Sequence, residues 1–407
     1  MVTQSDLRNT YNRIKSFIHR TPLIYSNSFS DMTKAEVYIK AENLQKTGSF
    51  KVRGVFNKMI GLGHKKVIAA SMGNHAQAVA FAAKKLGFYA KIVMPVTVPI
   101  VKEEATRGYG ADVVLHGENL QEALDFAIAQ KDYTLIHPYD DDHIIAGQAT
   151  LGLEIIEDLR DIDVVLVPVG GGGLIAGTAL SVKAFNASAK VIGVQTRSAT
   201  SAHRSFREHK IIPDWPRPTL ADGIAVGKVG ERPFLAISEL VEDFIVVDDE
   251  TIALAVLLFM ERKKLVVEGA GASPLAALLL NKDRFKGKRV VLVASGGNID
   301  LTLVDRIIRK GLVASGRIST FEVIADDVPG SLQALAGIIA SNRTNILDIS
   351  HDRLREGMPV GKIPVAFTIE LRSKESFRDL LSSIVSAGFS LNTEFINKTK
   401  SPDEDQR

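Results

Sequence analysis

The sequence predicts an α/β protein with mostly parallel sheets, followed by a smaller α+β unit at its C-terminus. Three observations carry that prediction. Short β-branched runs alternate with Ala- and Leu-rich segments through most of the chain. "DVVLVPVGGGG" (163–173), "AKVIGVQT" (189–196) and "KRVVLVASGGN" (288–298) are apolar almost without a break before their turns, as strands covered on both faces are. Near residue 315 the pattern changes to β-α-β-β-α-β, a ferredoxin-like order.

The elements follow in chain order. "KKVIAAS" (65–71) is a strand, and "NHAQAVAFAAKKLG" (74–87) a helix closed by Gly87. "AKIVMP" (90–95) is a strand, "IVKEEATRGYG" (100–110) a short helix, "ADVVLHG" (111–117) a strand and "NLQEALDFAIAQK" (119–131) an amphipathic helix. Such strand–helix alternation builds α/β units with helices on both faces of a sheet. Beyond the small, polar "ASGRIST" (314–320), strands are expected at 320–327, 344–353, 362–371 and 391–397, with helices at 330–342 and 373–389. The charged end is expected to be disordered.

Composition narrows the function. A chain of 407 residues exceeds one ordinary core, so two or three domains are expected. The 50 basic and 47 acidic residues nearly balance. No basic stripe with interleaved aromatics appears, which argues against a nucleic-acid partner. Without cysteine, disulfides, zinc-thiolate sites and Cys-bound iron–sulfur clusters are excluded. No apolar run reaches membrane-spanning length, and "MVTQSDLRNTYNRIK" lacks the apolar core of a signal peptide. A soluble, cytoplasmic protein is the expectation.

Four stretches carry chemistry. In "SFKVRGVFNK" (49–58), Lys51 sits among apolar and small residues. Most lysines are solvated surface charges. One hemmed in by apolar neighbours has a depressed pKa and a nucleophilic amine. In "VPVGGGGLIAG" (167–177), Gly170, Gly171, Gly172 and Gly173 follow a buried strand and open a helix. Glycine lets backbone approach an anion, and the helix start offers free N–H groups, so this is a phosphate cradle. A nicotinamide dinucleotide would want an acidic residue ending the next strand, which ends in Gln195 and Thr196 instead. "ASMGNHAQ" (70–77) places Ser71, Gly73 and Asn74 at another helix start, suited to a carboxylate or a ring oxygen. His75 reads as a satisfied cap histidine ahead of a base. "VASGGN" (293–298) puts Ser295 at the carboxyl end of a strand, where ligands bind in open α/β sheets. Together the turns propose one ligand. It has a phosphate, an oxygen near Asn74, a group that pairs with Ser295, and a carbonyl for Lys51. Pyridoxal 5'-phosphate has all of these.

In order, "TGSFKVRG", "SMGNHAQ", "GGGGLIAG", "TLADG", "EGAGA" and "SGGN" resemble the signature set of threonine dehydratases. These are fold-type II pyridoxal-phosphate enzymes, with a two-domain, tryptophan synthase β-like fold. The resemblance spans roughly residues 10 to 312. It implies a catalytic domain over 1–315, with a small subdomain at about 41–145. Residues 316–398 resemble an ACT domain, an amino-acid-sensing module, through "DDVPGSLQAL" and "TNILDI". The tail is then 399–407.

Carried over by residue, the resemblance makes Lys51 the Schiff-base lysine. Gly170, Gly171, Gly172, Gly173 and Leu174 hold the phosphate, and Phe50 packs beside the cofactor. Asn74 bonds the ring hydroxyl and Ser295 the pyridine nitrogen. Ser71, Gly73, Asn74 and His75 hold the substrate carboxylate. Asp222 and Glu268 match acidic positions near the site. The implied reaction takes L-threonine to 2-oxobutanoate and ammonia, with L-serine as a side substrate. A branched-chain amino acid is the implied effector, near Asp327, Pro329, Gly330 and Asn345. A homo-oligomer, dimer or tetramer, is expected.

Departures sharpen the reading. Racemising relatives carry serine where Met72 stands, so racemisation is not expected. β-Replacing relatives carry aspartate where Val52 stands, which favours dehydration. "TRSATSAHRS" (196–205) has no carboxylate where racemases bind a divalent metal, so no metal is expected. The rivals are a serine dehydratase or racemase of the same fold, a dinucleotide oxidoreductase and a non-enzymatic amino-acid sensor.

Overall fold

The computed structural model describes residues 3–392. The chain forms two compact units, Met1–Asp300 and Leu301–Arg407. Strands are numbered here in chain order.

The first unit holds two sheets. One has six strands: β1 (Leu23–Tyr25), β2 (Glu36–Ala41), β7 (Val164–Pro168), β8 (Lys190–Thr196), β9 (Asp243–Val247) and β10 (Arg289–Ala294), in the order β1-β2-β10-β7-β8-β9. Only β1 runs antiparallel to its neighbour. The other has β3 (Lys66–Ala70), β4 (Tyr89–Met94), β5 (Asp112–Leu115) and β6 (Thr134–Leu135), all parallel, in the order β5-β4-β3-β6. The apolar runs read as two-faced strands are that: all five residues of β7 are buried. Helices cover both faces of the four-stranded sheet. Val67 and Ala69 meet Val55 and Phe56 on one side, and Ile68 and Val93 meet Ala123 and Ala127 on the other. The helix Asn74–Leu86 ends at Gly87, whose φ of +71° is the left-handed turn a glycine allows.

The second unit runs β11 (Ile318–Asp326), helix Ser331–Ser341, β12 (Asn345–His351), β13 (Lys362–Glu370), helix Lys374–Ser386 and β14 (Ser390–Asn392). Its sheet is antiparallel throughout, in the order β12-β13-β11-β14. Phe321, Leu335, Phe367, Leu380 and Ile384 form its core. The sequence places the unit boundary at 315/316. The division falls at 300/301, because the helix Leu301–Ala314 packs on β11. Of "ASGRIST", Ala314 ends the helix and Ile318 begins β11; Ser315, Gly316 and Arg317 form the turn between them, closed by Arg317 N donating to Leu312 O at 2.8 Å through left-handed Gly316. Of the strand expected over 391–397, residues 393–397 lie outside the described residues, as does the tail.

No helix among the described residues is long and apolar enough to cross a membrane.

Candidate active site

The carboxyl ends of β3, β7 and β10 open on one cavity of about 250 Å³ in the first unit, where parallel sheets place their ligand sites. Every residue expected to hold cofactor or substrate lines it: Phe50, Lys51, Ser71, Gly73, Asn74, His75, the run Gly170–Gly173, Leu174 and Ser295. Asp222, Glu268 and Met72 line it too.

Lys51 begins the helix Lys51–Ile60. Its Nζ donates to the Pro138 carbonyl at 3.0 Å and lies 5.1 Å from the centre of the Phe50 ring. The side chain reaches the cavity, yet protein surrounds the amine. Burial lowers its pKa to about 8, against the upward pull of Glu268. The amine is therefore far more often neutral near neutral pH than a surface lysine's.

The glycine run follows β7 and opens the helix Gly173–Phe185. Gly172 has φ +95°, and a Cβ there would lie 2.7 Å from Pro233 Cβ. A Cβ at Gly171 would run into the Tyr139 ring. Side chains are thus excluded on the protein side, and backbone faces the cavity. The first-turn N–H groups have no helical carbonyl to meet. A phosphate satisfies them and complements the dipole.

At the next helix start, Ser71 Oγ accepts from Gly73 N at 3.3 Å. Asn74 Nδ2 donates to both oxygens of Glu268, at 2.9 and 3.1 Å. Glu268 is buried, and burial raises its carboxyl to about 7, with Asp222 adding to the rise and Asn74 opposing it. His75 is buried, and its Nε2 meets the Ile136 carbonyl at 2.8 Å. Burial, with Lys51 nearby, lowers its pKa to about 3. The ring is neutral and structural, so His75 has its backbone N–H to offer a ligand. Ser295, buried just past β10, accepts from Phe50 N at 3.1 Å through its carbonyl. The end of β10 and the lysine-bearing loop are locked together there.

Several participants carry no mark in the sequence. Pro138 and Tyr139, after β6, supply the acceptor for Lys51 and the wall behind Gly171. A backbone carbonyl leaves no side-chain signal. Lys102 pairs with Asp222 at 2.8 Å at the cavity's edge, and nothing in "IVKEEATRG" marks it out. Arg53, two residues after Lys51, is fully buried and pairs with Glu42 at 2.7 Å and Glu154 at 2.8 Å. Lys40 pairs with Glu154 at 2.6 Å. This network anchors the turn that carries Lys51.

The residues fit pyridoxal phosphate. A partly neutral amine, a glycine loop that admits only backbone, a hydroxyl at a strand end and an amide donor converge on one cavity. Among the described residues, no group of three or more His, Cys, Asp or Glu could hold a metal ion.

In the second unit, Asp327, Pro329 and Gly330 line a cavity of about 470 Å³ with His351 and Arg353. Arg353 pairs with Asp327 at 3.1 Å. Asn345 is not with them. It faces Glu370 at the far end of β13, whereas Asp326 faces Lys362 at the near end.

The chain resembles known proteins over this whole arrangement. The family model described as "Pyridoxal-phosphate dependent enzyme" matches residues 14–296. An L-threonine ammonia-lyase of Thermotoga maritima is 44% identical over 396 residues, covering 96% of this chain and 98% of its own. One from Geobacter sulfurreducens is 42% identical over the same shares. Among solved structures, the processed form of threonine deaminase isoform 2 from Solanum lycopersicum is 36% identical with a TM-score of 0.70, covering 75% of this chain and 93% of its own. Maize serine racemase is 33% identical with a TM-score of 0.71, covering 77% and 98%. With the family model spanning both sheets and every residue of the cavity's cofactor side, the chain belongs to the pyridoxal-phosphate-dependent enzymes.

Proposed function

We propose that this enzyme dehydrates and deaminates L-threonine to 2-oxobutanoate and ammonia, with L-serine to pyruvate as a side reaction. The observation that carries the reading is the Lys51 amine, pulled down to about 8 beside a glycine loop. It is supported by two L-threonine ammonia-lyases at 42–44% identity along almost the entire chain.

Bound at Lys51, the cofactor supplies a carbonyl for the substrate amine and an electron sink for charge arising at Cα. The chain's residues do the rest. Ser71, Gly73, Asn74 and the His75 backbone hold the carboxylate at a helix start. Lys51 Nζ, once released, takes the Cα proton as general base, for which a pKa of about 8 suits neutral pH. Ser295, which lines the cavity, would face the pyridine nitrogen with a hydroxyl, and a hydroxyl would not stabilise a proton there as a carboxylate would. With a weaker sink, charge would stay nearer Cα, which would favour loss of the β-hydroxyl. Met72 stands where a racemising enzyme needs a second acid–base group, and a thioether holds no proton. A pocket separates threonine from serine by one methyl, worth roughly 1–3 kcal/mol, so serine is turned over more slowly.

The second unit is read as an ACT domain that binds isoleucine or valine at the Asp327–Gly330 turn in a cytoplasmic homo-oligomer, a tetramer, serving isoleucine synthesis. Support comes from its β-α-β-β-α-β order and from the cavity at that turn, where Arg353 pairs with the Asp327 carboxylate. Incubation with L-threonine and pyridoxal phosphate should release 2-oxobutanoate and ammonia in equal amounts. No product from threonine or serine would refute the reaction. Titration of isoleucine and valine into that assay, with no change in rate or affinity, would refute the regulation.

A further inference from the structure

Asn298 ends the "SGGN" run beyond β10 and is exposed to the cavity. Its Nδ2 donates twice: to the Thr47 carbonyl at 2.8 Å and to Asn74 Oδ1 at 2.6 Å. Asn74 Nδ2 in turn donates to both oxygens of Glu268. This chain has a direction. A carbonyl only accepts, so Thr47 decides which end of Asn298 faces it. The two hydrogens of that NH2 serve the two acceptors. Asn74 then has its oxygen committed and its NH2 turned toward Glu268, which also only accepts while ionised. The backbone leading to Lys51 is drawn hard against the same residue. Gly48 has φ +72°, and a Cβ there would lie 2.5 Å from Asn298 Oδ1.

We propose that Asn298 is a positioning residue for the reaction: it orients the Asn74 amide so that NH2, not oxygen, is presented to the cofactor's ring oxygen, and it ties that orientation to the loop carrying Lys51. The proposal rests on the reading of Asn74 as a cofactor contact. It does not depend on which amino acid is consumed.

Two variants separate direction from mere support. Asn298→Asp keeps the shape but turns acceptor oxygens on the Thr47 carbonyl and Asn74 Oδ1. If Asn74 flips to relieve this, its oxygen meets the Glu268 carboxylate. Asn298→Ala only deletes the donors. A supporting role ranks the Asp variant above the Ala variant, and a directional chain ranks it below. The readouts are the melting temperature of the full chain at pH 8 with and without pyridoxal phosphate, the cofactor Kd by absorbance titration, and kcat and KM on L-threonine.

The expected result is that the Asp variant melts below the Ala variant with and without cofactor. Cofactor Kd should weaken about tenfold in the Ala variant, the scale of one lost hydrogen bond to a buried partner, and further in the Asp variant. kcat should fall about as much, with KM changed less than about threefold. An Asp variant that melts and binds cofactor as well as the Ala variant overturns the proposal. If the Asp variant does not fold, an Ala variant with wild-type Kd and kcat overturns it alone. Failure of the threonine reading looks different: wild-type protein gives no turnover while the order of melting and cofactor affinity persists.

Discussion

Lys51 and Glu268 line one cavity, and burial there draws the amine down to about 8 and the carboxyl up to about 7. Two groups that lie six pH units apart in model peptides thereby approach one another. Only the neutral amine attacks a carbonyl. The rate at which cofactor-stripped protein captures pyridoxal phosphate should therefore rise with pH and level off above about 8. Stopped-flow absorbance checks this. A rate still climbing steeply at pH 10 would mean an ordinary, solvated lysine.

Glu268 makes the stripped protein's stability depend on pH with a definite sign. Its folded pKa, about 7, lies above the ordinary 4.5. The folded state thus holds the extra proton between those values, and stability is lost as pH rises through that window. Glu268→Gln should stabilise stripped protein at pH 8, by on the order of 3 kcal/mol at 1.36 kcal/mol per unit. The gain should shrink toward pH 5. Thermal melts at both pH values test this, and an equal gain at both would contradict it.

Gly172→Ala should weaken cofactor binding by more than about tenfold while the fold survives. The residue would be held at φ +95° and pressed 2.7 Å from Pro233 Cβ, so the loop must shift. A left-handed conformation costs a non-glycine residue roughly 1–2 kcal/mol before any clash is counted. Absorbance titration with pyridoxal phosphate measures the loss. Unchanged affinity would mean that the loop does not hold the phosphate.

Arg53→Ala should cost about 3–5 kcal/mol, because Glu42 and Glu154 would be left buried with Lys40 as their nearest cation. Arg53→Lys should not restore the loss. Arg53 serves Glu42 through Nε and Nη2 and Glu154 through both Nη atoms, a fork that an ammonium lacks. Denaturant unfolding gives the values. A cost below about 1 kcal/mol would contradict the anchoring role.

Much of the site was legible because its chemistry sits in local runs. Four glycines after an apolar strand can be read without a fold, and so can a lysine among apolar neighbours. What was not legible depends on distant partners. β2, "EVYIKA", carries no apolar run. Lys40 is fully buried within it only because Glu154 lies against it, 114 residues along the chain. The role of Asn298 rests on Thr47 and Asn74, which only the folded chain brings near. The division into units at 300/301 was hidden for a related reason. A small, polar turn looks like a linker until the packing of the preceding helix on β11 is seen.

Lys51 as the attachment point of the cofactor can be tested directly. Reducing the holoenzyme with borohydride fixes the cofactor to the amine that holds it, and peptide mass mapping then finds it. A pyridoxyl group is expected on Lys51 and none on Lys102, the other lysine of the cavity. A label on any other lysine, or no label on protein that still turns over threonine, would contradict it.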